Sequence, residues 1–204
     1  MNLRILLTAA LALAMTSGGS RAADPRYPDW PCTQAKVPEI SLAAVWAGPA
    51  LDDVQNSWKD DAKVSALVSK LSARKTPIDE AEKSVKDFLA ASATDKTANA
   101  KLLFAGLFDT LNAQRSQVMN GLERVSRKQR EAADKIREET LQLQALQGTT
   151  PRDEAKVEAL SNDLIWKTRI FEDRHKVVRF VCEVPTAIDQ RLFALGRVIQ
   201  QEME

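Results

Sequence analysis

The chain has 204 residues, with 29 Lys and Arg against 28 Asp and Glu, a formal net charge of +1 and a mean hydropathy of −0.30. Near-neutrality excludes the global basic field on which nucleic-acid binding rests. One histidine and two cysteines are too few donors for a zinc site, and no Cys-x-x-Cys redox motif occurs.

The N-terminus predicts export. Met1 to Arg4 is a short cationic start, Ile5 to Met15 is apolar, and small residues lead to Ser20-Arg21-Ala22-Ala23. That is the pattern of a secretory signal peptide over 1–22, cleaved after Ala22, with an apolar part too short to span a bilayer. Loss of Arg4 and Arg21 leaves 27 basic residues against 28 acidic ones. No later apolar run is long enough for a membrane helix, so the expected product is a periplasmic protein without an integral membrane segment. In that oxidising compartment Cys32 and Cys182 are expected to pair. The bond would close a loop of about 150 residues, stabilising the fold by roughly 4–5 kcal/mol in the chain-entropy model.

Residues 23–50 hold Pro25, Pro28, Pro31, Pro38 and Pro49 among Tyr27, Trp30 and Trp46. Five prolines exclude a long helix, and the aromatics argue against a polar linker. An extended strap lying on the helices follows, with one short helical turn at 41–47.

From residue 51 onward the pattern is helical, and the spacing predicts helices over 53–73, 77–92, 96–147, 151–184 and 187–203. Thr76-Pro77-Ile78-Asp79, Thr150-Pro151-Arg152-Asp153 and Thr186-Ala187-Ile188-Asp189 each read as a helix start capped by threonine. Val54, Trp58, Ala62, Leu67, Val68 and Leu71 line one side of the first helix; Ile78, Ala81, Val85, Phe88 and Leu89 line one side of the second.

The third helix carries a heptad seam. Steps of four and three from Phe104 pass through Phe108, Leu111, Arg115, Val118, Leu122, Val125, Gln129, Ala132, Ile136, Glu139, Leu143 and Leu146, interrupted by Arg115, Gln129 and Glu139. A narrow seam on a charged helix predicts a two-stranded coiled coil. Gly148-Thr149-Thr150 is a tight turn, and Val157, Leu160, Leu164, Phe171, Val178 and Val181 supply the returning seam, so the two arms must be antiparallel. Counting from the turn pairs residues whose numbers add to about 299. Pro185 should kink or break the return arm. Trp166, Ile170, Val177, Phe180 and Val184 make that arm apolar on a second side, expected to be covered by the strap and the first two helices. The predicted class is therefore all-α: a helical base (51–118 and 180–204), a long antiparallel coiled-coil hairpin as a stalk (119–179), and an N-terminal strap tied by a disulfide.

No catalytic constellation is visible. His175 lacks a nucleophile context, and the pairs Asp52-Asp53, Asp60-Asp61 and Glu138-Glu139 lie adjacent on helices rather than converging from separate segments. Arg124, Arg127, Lys128 and Arg130 face Lys167, Arg169, Arg174, Lys176 and Arg179 at similar height, interleaved with carboxylates as on a salt-bridged flank. Gln144, Gln147, Thr149 and Thr150 present uncharged polar groups at the stalk tip as a partner contact. Trp30, Trp46, Trp58 and Trp166 belong either to the core or to a pocket under the strap.

Tyr27-Pro28-Asp29-Trp30-Pro31-Cys32 resembles the mature start of a group of uncharacterised exported proteobacterial proteins; the resemblance implies export and no activity. The hairpin is similar in architecture to those of periplasmic efflux-pump adaptors and tentacled periplasmic chaperones, but the β-rich segments of both families have no counterpart here. The expected function is a non-enzymatic periplasmic scaffold, adaptor or chaperone-like protein that meets a protein partner through the hairpin, without cofactor or metal; a homo-oligomer is compatible with it. The alternative is a ligand-binding or sensory bundle with its pocket between base helices and strap.

Overall fold

Heptad spacing in the third predicted helix dictates the longest element of the molecule. In the computed structural model, which describes residues 24–204 apart from Gln55 and Ala93, the elements are α1 (Leu42–Val45), a 3-10 turn (Ser57–Lys59), α2 (Ala62–Ser72), α3 (Ile78–Ala90), α4 (Lys96–Gln147), α5 (Glu154–Val181) and α6 (Val184–Met203). The described residues form no strand. The segment expected to be a signal peptide lies outside them.

At 52 residues α4 is roughly 78 Å long. It turns at Gly148, and α5 returns antiparallel. Gln129 Nε2 donates to the carbonyl of Phe171 at 3.1 Å, and Lys167 meets Glu139 at 2.6 Å. Farther down, Arg115 faces Asp189, and a Cβ at Gly196 would come within 2.8 Å of the Phe104 ring. The numbers of these pairs add to between 300 and 306, so the predicted pairing rule holds to within seven residues along most of α4, first against α5 and then against α6.

The return arm breaks at Cys182-Glu183. Pro185 falls in the first turn of α6, where its missing N–H costs nothing. The first half of α4 is then enclosed by α2, α3 and α6. Phe104, Leu107 and Leu111 of α4 pack with Val68 and Leu71 of α2, Val85 and Leu89 of α3, and Leu192, Leu195 and Ile199 of α6. Arg191 ties this base together by donating Nε to the carbonyl of Leu71 at 2.6 Å and Nη2 to that of Thr76 at 3.0 Å.

The helix starts differ from the sequence expectation. Position 53–61 is not continuous helix: Trp58 sits in the 3-10 turn, its indole N–H bound to Asp109 at 3.0 Å, and Asp61 caps α2 through the N–H groups of Lys63 and Val64. Thr76 is not a cap, because its hydroxyl is spent on the carbonyl of Lys70 at 3.0 Å. α5 begins three residues later than expected, where Asp153 accepts from the N–H of Lys156. Thr186 lies within α6, and Asp189 faces Arg115 rather than the helix end.

The strap follows α4. Asp29 binds Arg127 and Arg130, Lys36 binds Glu123, and Arg115 donates to the carbonyl of Pro38. Trp46 stacks on Phe104 with ring centroids 4.2 Å apart, and the N–H of Ala47 reaches Gln200. Cys32 and Cys182 form the expected disulfide with a Cα–Cα distance of 5.5 Å, and Gln34 donates to the carbonyl of Cys182.

Candidate functional site

The second apolar side of α5 is not covered as the sequence led us to expect. The strap is held to α4 by charged groups and to Cys182 by the disulfide, so it borders only the Phe180 end of this face, while α2 and α3 pack on α4 and α6. Ile165 (66 % exposed), Trp166 (61 %), Val177 (59 %) and Phe180 (73 %) remain in solvent.

Beside them, α4 and α5 enclose an open trough of about 660 Å³. Its floor is Gly121, Leu122 and Val125 from α4 with Ile170, Val177 and Val181 from α5. A second hollow of about 250 Å³ continues it toward the tip, sharing Ile170 and Arg174 and adding Ala132, Lys135 and Lys167. By helical periodicity the trough lies on the side of α4 away from the strap contacts at Glu123, Arg127 and Arg130. A Cβ built at Gly121 would meet nothing within 4 Å, so the floor is open there.

The charges around the trough divide into two sets. Lys167 is held by Glu139 and Asp163, both at 2.6 Å, and these partners raise its pKa, Asp163 most. Asp173 is paired with Lys176 at 3.2 Å. Arg124, Lys135 and Arg174 make no ion pair among the described residues, leaving three cations on an apolar floor.

Other groups singled out in the sequence have structural roles. Arg115 is 3 % exposed, and its Nε approaches Asp189 Oδ1 at 2.7 Å without in-line hydrogen-bond geometry. Burial pushes the Asp189 carboxyl above the ordinary carboxylate range, partly opposed by Arg115. Gln129 and Glu139 are half-buried in the seam. Asp53 binds Lys101, which holds its carboxyl low. His175 is exposed, and the described residues contain no group of three or more His, Cys, Asp or Glu placed to hold a metal ion.

At the tip Gln144, Gln147, Thr149 and Thr150 are all exposed, and the Thr149 hydroxyl and the Gln147 carbonyl are spent on the turn. Thr149 donates its hydroxyl to the carbonyl of Leu146 at 2.8 Å, and Arg152 donates twice to the carbonyl of Gln147. The four tryptophans do not converge. Trp46 and Trp58 are core, Trp30 donates to the carbonyl of Gln34 within the strap, and Trp166 faces solvent. Between strap and base lie cavities of about 510 Å³ at the disulfide (Pro31 to Gln34 facing Arg179, Phe180 and Glu183), about 240 Å³ beside α1 and Phe193, and about 260 Å³ beside Leu51 and Phe108; none of them is lined by Trp30, Trp58 or Trp166.

Sequence reasoning found the apolar second face of α5 but not the trough. On α4, Val125 and Ala132 were read as part of the seam buried against the return arm, and Gly121 carried no signal, so the open side was not visible in the pattern. No protein-family model matches this chain, and no curated protein or solved structure matches it.

Proposed function

We propose that this is an exported, periplasmic, non-enzymatic scaffold or adaptor whose coiled-coil hairpin engages a protein partner. The observation that carries this is the pair of large apolar clusters that α5 leaves in solvent, Ile165 with Trp166 and Val177 with Phe180, on either side of Ile170. Single exposed apolar residues are ordinary, whereas two exposed apolar pairs joined by an open apolar trough that runs through Ile170 mark a surface meant to be covered. The stiffness of two supercoiled helices suits reach, and a catalyst has little use for it. The N-terminal sequence supports export, and a disulfide is in keeping with an oxidising compartment. Among the described residues no helix is long and apolar enough to cross a membrane.

In-cell photo-crosslinking from Gln147 at the tip and Val177 on α5, with Asp60 in the base as control, tests the proposal. A discrete protein adduct from either hairpin position and none from Asp60 is expected. Silence from both hairpin positions would overturn it.

A further inference from the structure

We infer that the trough between α4 and α5 is the docking site for an amphipathic helix with acidic flanks, supplied by a partner protein and completing a three-helix coiled coil. The inference rests on the interaction role just proposed and names the surface and the chemistry of the partner.

Periodicity identifies the occupant as a helix. Ile170, Val177 and Val181 on α5 recur in steps of seven and four, as do Gly121, Val125 and Ala132 on α4. On α5, Ile170 and Val177 form a stripe beside the seam that joins the pair, and on α4 the seam residues Val125 and Ala132, with Gly121 beside them, stay partly open to the trough, so both walls offer apolar positions at heptad spacing to a third coiled-coil strand. Trp166, four residues before Ile170, extends the stripe. From Lys167 to Val181 the trough is roughly 21 Å long, the rise of about 14 helical residues. It is open along its length, so an acyl chain lying in it would keep much of its surface in water, whereas a helix about 10 Å wide bridges both walls. The absence of a side chain at Gly121 lets such a helix approach closely.

Charge selects the flanks. Arg124, Lys135 and Arg174 are the unpaired charges on the lining, and a docking helix would desolvate them partly, which acidic flanking residues offset. A second copy of this chain is disfavoured for the same reason, since it would bring the same cations against one another.

The full chain is titrated with two synthetic 21-residue peptides sharing one leucine seam, one flanked by Glu and the other by Lys, read by fluorescence anisotropy. The Glu peptide is expected to bind roughly tenfold more tightly, with the advantage shrinking in high salt. Arg124→Glu with Arg174→Glu should reverse the preference. Val177→Asp should abolish binding of both peptides while circular dichroism and melting stay as in the parent. Equal binding of the two peptides, binding of neither, or binding that survives Val177→Asp overturns the inference. So does a concentration-dependent dimer that Val177→Asp dissociates, which would make the occupant a second copy. A cellular adduct at Gln147 without peptide binding in the trough removes the trough and leaves the interaction role standing; silence in cells at both positions removes the role as well.

Discussion

Arg115 of α4 and Asp189 of α6 face each other across the boundary between base and hairpin, with 2.7 Å between Nε and Oδ1. Arg115 also donates Nη1 to the carbonyl of Pro38 and approaches the Met119 sulfur at 3.0 Å, so one side chain joins α4, α6 and the strap. Desolvation raises the carboxyl of Asp189, so ionising it in the fold has a cost that Arg115 only partly offsets.

Removing one partner of this pair should therefore be worse than removing both. Arg115→Met keeps the packing volume but strands the carboxylate, and should lower stability by about 2–3 kcal/mol, less than for a fully buried pair because Asp189 retains solvent contact. Adding Asp189→Leu should recover most of that loss. Urea unfolding midpoints of the two single variants and the double variant measure it, and simple additivity would show that the pair is not coupled.

The disulfide should stabilise the base and strap more than the stalk. Replacing both Cys32 and Cys182 by serine removes a cross-link spanning 150 residues and should lower stability by up to about 4–5 kcal/mol. Hydrogen exchange should quicken in residues 24–40, while the amides of 130–165 keep their protection. Equal loss of protection in both regions would contradict independent anchoring of the strap.

Strap attachment should also depend on pH. Arg127 and then Arg130 hold the Asp29 carboxyl below the ordinary carboxylate range. Because the folded value is depressed, the stabilisation is fully present above the unfolded value near 3.8 and is lost as pH falls through the lower folded value. The carboxyl carbon shift of Asp29, followed by NMR from pH 6 downward, should titrate below that of a free aspartate. Asp29→Asn should remove the transition and leave the strap loosened at every pH.

Two glycines of α4 should respond in opposite directions to alanine. A Cβ at Gly106 would lie 2.7 Å from Val68 Cγ2 and 2.9 Å from the Trp58 ring, so Gly106→Ala should destabilise by about 1–3 kcal/mol. At Gly121 the space is open, and Gly121→Ala should stabilise by about 0.5–1 kcal/mol through helix propensity. Thermal melts distinguish the two.

Periodicity carried most of the architecture. The seam from Phe104 to Leu146 fixed the hairpin, and the position of the turn fixed its register well enough that Gln129 meets Phe171 as expected. Two cysteines in a chain read as exported were enough to pair Cys32 with Cys182. Helix starts were less legible, because Thr76, Thr150 and Thr186 offer the same hydroxyl as a cap, and only tertiary context decides where it is spent. The capping groups at α2 and α5 are the carboxylates of Asp61 and Asp153. The path of the strap was illegible for a related reason: it follows ion pairs of Asp29 and Lys36 with α4, and charges give no periodic signal. Assuming that every apolar face is covered within its own chain then hid the trough.

The cross-link also determines how the molecule comes apart. Cys32 and Cys182 lie on either side of the tip turn at 148–153, so that turn is inside the covalent ring. A protease that cuts there separates the backbone of α4 from that of α5 without freeing either fragment. The nicked product migrates as one species until a reductant is added and then resolves into two, so the tip can be opened while strap, base and both arms stay tethered.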